Sequence, residues 1–225
     1  MNMENMDGLV NINGDSVQTL EVIFLTTMIM LLPFMVVMMT SFTRYIISLS
    51  FLRTALGTQQ TPPNMVLIGL ALFLTLFTMA PVIDQINEQA WQPYTDERIT
   101  QEVFFERAQV PLKQFMLRNT ETSSLRMFCS MAGEEAPTDT NDGVRLPLRV
   151  VTSAFATSEL KRAFEIGLLL YIPFLLIDII VSSTLMSMGM IMLPPAMIST
   201  PFKLLLFISV NGWELMFSTL VQSVK

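Results

Sequence analysis

The chain has 225 residues, of which 52 % are hydrophobic and only 14 % are charged, against roughly a quarter in ordinary globular domains. Its net charge of −6 and its lack of a basic run argue against a nucleic-acid partner. Histidine is absent and cysteine occurs once, which removes the commonest catalytic base and excludes an intrachain disulfide. Of the 32 charged side chains (13 basic and 19 acidic), 21 lie between residues 84 and 162. This concentration of charge predicts a membrane protein with one polar segment.

Residues 1–20 are polar, and an uncharged stretch follows from Val22 to Met39. As a helix this stretch would span about 27 Å, close to the thickness of a bilayer core. Pro33 is expected to kink it, because proline removes a backbone donor. The apolar pattern continues to Leu56, so the sequence predicts one long bent helix.

A short connector leads to the second helix. Gly57 is the expected end of the first helix, and Pro62 and Pro63 cannot continue a helix. A second uncharged stretch runs from Met65 to Ile83. Residues 21–83 are therefore predicted to form a first helical hairpin.

The two basic residues near this connector predict the orientation. Arg44 and Arg53 have no acid between them, which favours a cytoplasmic connector, and both are interpreted as interface anchors. The polar segment 84–158 would then face the periplasm. The first residues lack the basic start of a secretory signal.

Residues 84–158 are predicted to be a mostly helical insertion. Short helices are expected at 100–107 and at 111–118, where proline opens the second one. Residues 132–143 show no apolar periodicity and are predicted to be a mobile loop.

A second helical hairpin is predicted over residues 159–225. Its first helix is expected to start at Thr157–Glu159 and to end before Pro194 and Pro195, and the last helix is expected to follow Pro201. The predicted fold is all-α: a polytopic membrane protein with four long, bent or interrupted hydrophobic helices and a small helical periplasmic insertion.

Methionine accounts for 19 residues, and one group stands at a helix end. Met188, Met190 and Met192 alternate around Gly189, with Ile191 between the last two, where the backbone is about to leave the helix. Irregular backbone at membrane depth is tolerated only when it is buried in protein or lines a cavity. Unbranched apolar side chains there can seal a pore and deform around a passing chain, although on spacing alone simple packing between helices is the alternative.

Two acids interrupt the second hairpin and need a partner. For a turn near 194–200, Asp178 lies about 24 Å and Glu214 about 21 Å from the turn, and Lys203 is about 16 Å too shallow to meet Asp178. Inter-subunit polar contacts are therefore expected at Asp178, Lys203 and Glu214, with Lys161 and Arg162 as candidate partners. A structural ion pair is favoured over a proton-carrying role, which stays as the alternative.

Several motifs occur together in one order. They are Leu52 to Gly57, Pro62 to Asn64, Gly69 to Thr75, Thr157 to Lys161, Ile172 to Leu175, Asp178, Met188 to Met192, Pro201 to Leu204, and Gly212 with Trp213. Over about residues 20–222 they resemble the FliP family, whose members are subunits of the bacterial flagellar type III export apparatus. Ile191 interrupts a run of three methionines in that family's pattern, and Asn211 stands where an acid often precedes Gly-Trp.

The resemblance implies a pentamer-like homo-oligomeric ring in the bacterial inner membrane, within the flagellar basal body. It also implies FliQ and FliR partners, FlhB and FlhA family subunits, membrane lipid, and unfolded flagellar proteins as the exported cargo. The methionine group would be a pore gasket of the channel. The related injectisome (SctR-type) subunit shares most of the motifs and is the alternative.

Two other functional classes are disfavoured by the residues themselves. A self-contained transporter would usually show internal repeats, and the two halves of this chain are unlike. An enzyme would need a nucleophile beside a base, a metal-ligand spacing or a phosphate loop, and no such motif occurs in the sequence. The prediction is a structural, gating subunit without a cofactor.

Overall fold

The computed structural model describes residues 10–12, 15–17, 19–58, 60–137, 139–190 and 192–224. Its elements are β1 (Val10–Ile12), β2 (Asp15–Val17), α1 (Thr19–Met39), α2 (Phe42–Leu56), α3 (Asn64–Ile86), a π-helical turn (Asn87–Trp91), α4 (Gln92–Thr95), α5 (Gln101–Asn119), α6 (Thr122–Ala132), α7 (Thr140–Gly143), α8 (Leu148–Ser187), α9 (Pro195–Ser209) and α10 (Gly212–Gln222).

The prediction of a helical membrane protein is confirmed. A short antiparallel hairpin, in which Val10 on β1 pairs with Val17 on β2, departs from the all-α prediction. Within the described ranges, two helical segments, Asn64–Thr95 and Leu148–Ser187, are long and apolar enough to cross a membrane. The number rises to four if the bent pairs α1–α2 and α9–α10 each form one span, so the predicted four stays a prediction.

The break in the first long helix lies after Met39 rather than at Pro33. Pro33 lies inside α1. The helix ends instead at the hydroxyl groups of two threonines. Thr40 Oγ1 donates to the carbonyl of Val36, and Thr43 Oγ1 donates to the carbonyl of Val37 at 2.6 Å. These side chains satisfy carbonyl groups that a helix end leaves unpaired, so the chain can change direction without glycine.

The insertion has fewer helix ends than its prolines predict. A single helix, α5, replaces the two short helices expected at 100–107 and 111–118, with a buried Pro111 inside it. The segment 132–143 contains the short helix α7, and Lys113 Nζ donates to the carbonyls of Val144 (3.1 Å) and Leu146 (3.0 Å) just beyond it. Burial lowers the pKa of Lys113. Whether 132–143 is mobile stays a prediction.

The helix α8 joins the insertion to the second hairpin. It begins at Leu148, after Pro147, and not at Thr157–Glu159. Its 40 residues extend about 60 Å at the usual rise. The boundary predicted between residues 158 and 159 therefore falls inside one continuous helix.

Two hydrophobic clusters lie along α8. One packs the start of α8 against α5, with an edge-to-face contact of Phe115 and Phe155 at 5.9 Å between ring centroids. The other surrounds α2, which packs along α8 and against α3 and α9, and contains Tyr45, Leu52 and Phe174. Because α2 lies at the centre of this second cluster, it fixes the positions of the helices that carry the candidate site.

The close approach of α2 to α8 depends on Gly167. A Cβ atom added there would lie 2.5 Å from the ring of Phe51, whereas one added at Gly69 on α3 meets nothing within 4 Å. We expect Gly167→Ala to lower the stability of the subunit by about 1–3 kcal/mol, since overpacking forces the helices apart. The matched control Gly69→Ala should leave stability unchanged or raise it, because alanine favours a helix.

Thermal unfolding of the two purified variants in detergent measures this difference. Equal melting temperatures for Gly167→Ala and wild type would show that α2 and α8 adjust without cost.

Candidate functional site

The methionine group lies in the turn between α8 and α9. Helix α8 ends at Ser187, where Gly189 adopts a left-handed conformation (φ 75°) and Met190 N donates to the carbonyl of Leu185 at 3.0 Å. This pattern is a glycine-based helix stop, and it ends α8 before Leu193, where the sequence predicted the end.

The methionine side chains of this turn project from the subunit. Met188 is 69 % exposed, Met190 49 % and Met192 97 %. Ile191, the fourth predicted gasket residue, lies outside the described residues. The turn is closed by Pro194, which precedes α9, and by Pro195, which occupies the first helical position.

Beyond this turn, Lys203 links three helices. Its Nζ lies 2.7 Å from Asp178 Oδ2 on α8 and 3.0 Å from the carbonyl of Ala55 at the end of α2. The Lys203 side chain is 5 % exposed, and that of Asp178 is 35 % exposed. A cation at the C-terminal end of a helix also meets the negative end of the helix dipole. Lys203 thus fastens the α8–α9 hairpin to α2.

The expectation that no base within the chain reaches Asp178 is therefore wrong. The error came from placing the turn near 194–200, whereas α8 ends at Ser187 and α9 starts at Pro195. At 1.5 Å per residue, Asp178 lies about 14 Å from the end of α8 and Lys203 about 12 Å from the start of α9. The two side chains are thus at the same level of the hairpin.

A second ion pair was not found from the sequence. Arg44 on α2 is fully buried and binds Glu159 on α8, which is 1 % exposed. Arg44 Nε donates to Glu159 Oε2 at 2.8 Å, and a second, shorter bond joins Nη2 to Oε1. Arg44 Nη1 also donates to Ser223 Oγ at 3.0 Å and to the Ser223 carbonyl. Arg44 is thus not an interface anchor, as the sequence suggested, but part of the interior.

The sequence signal for this pair was a lone arginine followed by an apolar helix and a distant acid. In the structure, four neighbours of Arg44 along its helix are buried as well: Tyr45, Ser48, Leu49 and Leu52. Arg53, by contrast, donates to Asn64 Oδ1 across the connector. At the same connector, Gly57 ends α2 with φ 73°, and a Cβ there would lie 3.1 Å from Thr200 Oγ1 on α9.

The remaining predicted polar residues are not brought together. Lys161 Nζ lies 2.8 Å from Glu121 Oε2 and 3.9 Å from Glu165 Oε1. Arg162 is half-buried and Glu214 is exposed, and neither belongs to a salt bridge of the described residues. Contacts of these residues with another subunit stay predictions.

Glu121, which lies between α5 and α6, pairs with Lys161 on α8 and gives the fold a pH dependence. The hydrogen bond from Lys161 lowers the pKa of Glu121. Because the folded-state pKa is lower than the unfolded one, the pair stabilises the fold above the unfolded pKa of about 4.3 and is lost as the pH falls through the folded value. We expect a small effect, since both side chains are in contact with solvent.

This effect is measured by thermal unfolding of wild type and Glu121→Gln from about pH 3 to about pH 6, a range that brackets the usual carboxylate pKa. The melting temperatures of the two proteins should be equal at the acidic end of this range and should differ at its upper end. A constant difference across this window would contradict the assignment.

The chemistry that these residues support is structural. No group of three His, Cys, Asp or Glu side chains in the described part of the chain is placed to hold a metal ion. Among the described residues, the buried charges of Arg44, Glu159 and Lys203 are paired, Lys113 donates to backbone carbonyls, and the exposed methionines are apolar. This combination can hold helices in register and present a deformable apolar surface at one turn.

Comparison with known proteins places the chain in a family. A sequence model of the FliP family matches residues 25–220. The chain is 50 % identical over 213 residues to the Flagellar biosynthetic protein FliP of Aquifex aeolicus, covering 94 % of this chain and 88 % of that protein. It is 48 % identical over 205 residues to the protein of the same name from Bacillus subtilis, covering 91 % of each. The family resemblance inferred from the motifs is thus confirmed: the chain belongs to the FliP family.

Proposed function

We propose that this chain is a core subunit of the flagellar type III export gate and forms a protein-conducting channel with partner subunits. The observation that carries the proposal is the exposed methionine turn between two apolar helices, with Met192 97 % exposed. The relatives' name, Flagellar biosynthetic protein, supports a flagellar rather than an injectisome role. As a FliP-family member the chain is an export-apparatus component and not an enzyme.

The turn suits a seal for physical reasons. A channel for unfolded proteins must exclude small ions when empty and admit side chains of any size during export. Flexible thioether side chains can close an apolar constriction and still rearrange around a passing chain. In a ring of copies, the turns carrying Met188, Met190 and Met192 would meet at one level of the pore.

The surface of the subunit supports assembly in a membrane complex. The described parts of α3, α8 and α9 expose many large apolar side chains, among them Phe73, Phe77, Leu168, Leu169 and Leu205. Such surfaces need lipid or protein neighbours. We assign these neighbours to further copies in a pentamer-like ring, to FliQ and FliR, to FlhB and FlhA, and to lipid of the inner membrane in the basal body. The insertion would face the periplasm.

The seal predicts a leak when its side chains are shortened. We expect Met190→Ala combined with Met192→Ala to make the closed complex permeable to small ions, because alanine cannot fill the constriction. Conductance or dye uptake in cells with the assembled complex measures this. The matched control is Met30→Ala with Met35→Ala, which removes two exposed methionines from α1.

Unchanged permeability in a variant that assembles normally and still secretes filament protein would contradict the seal. A leak in the α1 control of the same size would mean that the loss of methionine anywhere loosens the complex.

A further inference from the structure

Four aromatic side chains cluster at the exposed tip of the insertion. Phe104 lies at the centre, with ring centroids 6.2 Å from Trp91, 5.2 Å from Tyr94 and 5.3 Å from Phe105. Trp91 is 55 % exposed, Tyr94 39 % and Phe105 57 %. We call these four residues the aromatic tip. Side chains of this size are normally buried, so an exposed group of them marks an interaction surface.

The backbone builds the tip with an irregular turn. Helix α3 passes into the π-helical turn Asn87–Trp91, which buries Ala90 fully. A π-turn contains an extra residue, so it rotates the following residues away from the apolar face of α3. Glu97, with φ 56°, then reverses the chain into α5, which supplies Phe104 and Phe105. Turns of this kind are frequent at functional sites.

The segment that carries the aromatic tip, residues 84–107, is acidic, and we call its exposed acids the rim. Between residues 84 and 107 there are six acids and two arginines, a net charge of −4. All six acids are exposed: Asp84, Glu88, Asp96, Glu97, Glu102 and Glu106. One of the two arginines, Arg98, lies 3.2 Å from Asp96 and neutralises that carboxylate.

We propose that the aromatic tip is a docking surface for a segment of another protein that carries arginine beside apolar side chains. A guanidinium group can stack on the exposed faces of Trp91 and Tyr94 and at the same time pair with rim carboxylates. The apolar neighbours of that arginine cover Phe105. This interaction goes beyond the gate itself, because the tip is separate from the methionine turn and from both buried ion pairs.

Charge decides between this partner and the other possible occupants. Bacterial membrane surfaces are anionic, and an acidic rim is repelled by them. The same tip of a second copy carries the same net charge, so a tip-to-tip contact between copies is repelled as well. A basic protein segment is attracted by the rim and retained by the rings.

Tryptophan fluorescence of the intact complex tests the proposal. The chain has two tryptophans, so Trp213→Phe leaves Trp91 as the reporter in each copy of this chain. The complex, reconstituted with its partner subunits in zwitterionic nanodiscs, is titrated with a helical leucine–arginine peptide. The same peptide with glutamate in place of arginine and vesicles of phosphatidylglycerol are titrated separately.

We expect the arginine peptide to shift the Trp91 emission to the blue and the other two probes to leave it unchanged. Phe105→Ala, and Glu102→Gln with Glu106→Gln, should each weaken peptide binding about tenfold. Their matched controls, Met131→Ala and Glu134→Gln with Glu135→Gln, should change it by less than about twofold. Gel filtration verifies that each variant assembles.

Three results would overturn the proposal: no shift with the arginine peptide, an equal shift with the glutamate peptide, or a shift with the anionic vesicles. A photo-crosslinking residue at Phe105, with Ser130 as control, gives a second measurement in cells with the whole export apparatus. A cross-link specific to Phe105, to a segment of another protein with arginine beside apolar residues, supports the proposal. Cross-links only to lipid or to copies of this chain refute it.

Discussion

Replacing Glu159 with leucine should destabilise the subunit by about 3–5 kcal/mol, the cost of leaving a buried charge without its partner. Arg44 is fully buried, so its guanidinium group would lose its carboxylate partner without gaining contact with water. Its remaining acceptors would be the carbonyl and hydroxyl of Ser223. The measurements are the thermal unfolding of the purified subunit complex and the amount of the chain that survives in the membrane fraction.

The double variant Arg44→Met with Glu159→Leu is the control for this prediction. Replacing both members of a buried pair with apolar residues is often neutral, so the double variant should recover most of the lost stability. Glu159→Gln should fall between the two, since it keeps an acceptor for the guanidinium group.

If Glu159→Leu is as stable as wild type, water must reach Arg44 in the assembled complex. If the double variant is as unstable as the single one, the pair does more than satisfy its own charges, and its bond to Ser223 near the end of α10 becomes the stabilising contact to test.

Replacing Asp178 with leucine should cost about 1–3 kcal/mol and weaken assembly. Among the described residues, the nearly buried ammonium group of Lys203 would then keep only the Ala55 carbonyl as an acceptor. The cost should be lower than at Glu159, since the Asp178 side chain is 35 % exposed. This exposed part is also the surface through which Asp178 can contact a neighbouring subunit. Complex size in detergent and secretion of a filament protein are the two measurements.

Two variants separate the possible roles of Asp178. Asp178→Asn keeps a hydrogen-bonding oxygen and should be milder than leucine. Asp178→Leu combined with Lys203→Met removes both charges and should restore the stability of the isolated subunit. If the double variant still fails to assemble, Asp178 also has a partner across the subunit boundary.

The outcomes differ for the proton-carrying alternative. Normal assembly of both single variants with loss of secretion would favour proton transfer at Asp178. Normal assembly and normal secretion with leucine would mean that neither the ion pair nor an inter-subunit contact matters for the gate.

Much of the fold could be predicted from the sequence, because hydrophobic length and charge distribution are properties of single segments. The uncharged stretches indicated apolar helices, and the concentration of charge between residues 84 and 162 indicated the insertion. Gly57 and Gly189 were recognised at their turns, since a left-handed residue after a helix favours glycine. Helix ends made by other means were missed: Thr40 and Thr43 end α1 through side-chain hydrogen bonds, which no proline or glycine marks.

For the candidate site, too, some features follow from the sequence and others only from the tertiary structure. The sequence by itself determined the membrane character, the family and the position of the methionine turn, because these depend on local composition and on motifs in order. Only the tertiary structure decided which charges meet. Arg44 and Glu159 are 115 residues apart in the chain, and the pairing of Asp178 with Lys203 depends on where one turn begins. A shift of the turn by a few residues moves a side chain by several ångströms along the helix, which exceeds the length of a hydrogen bond.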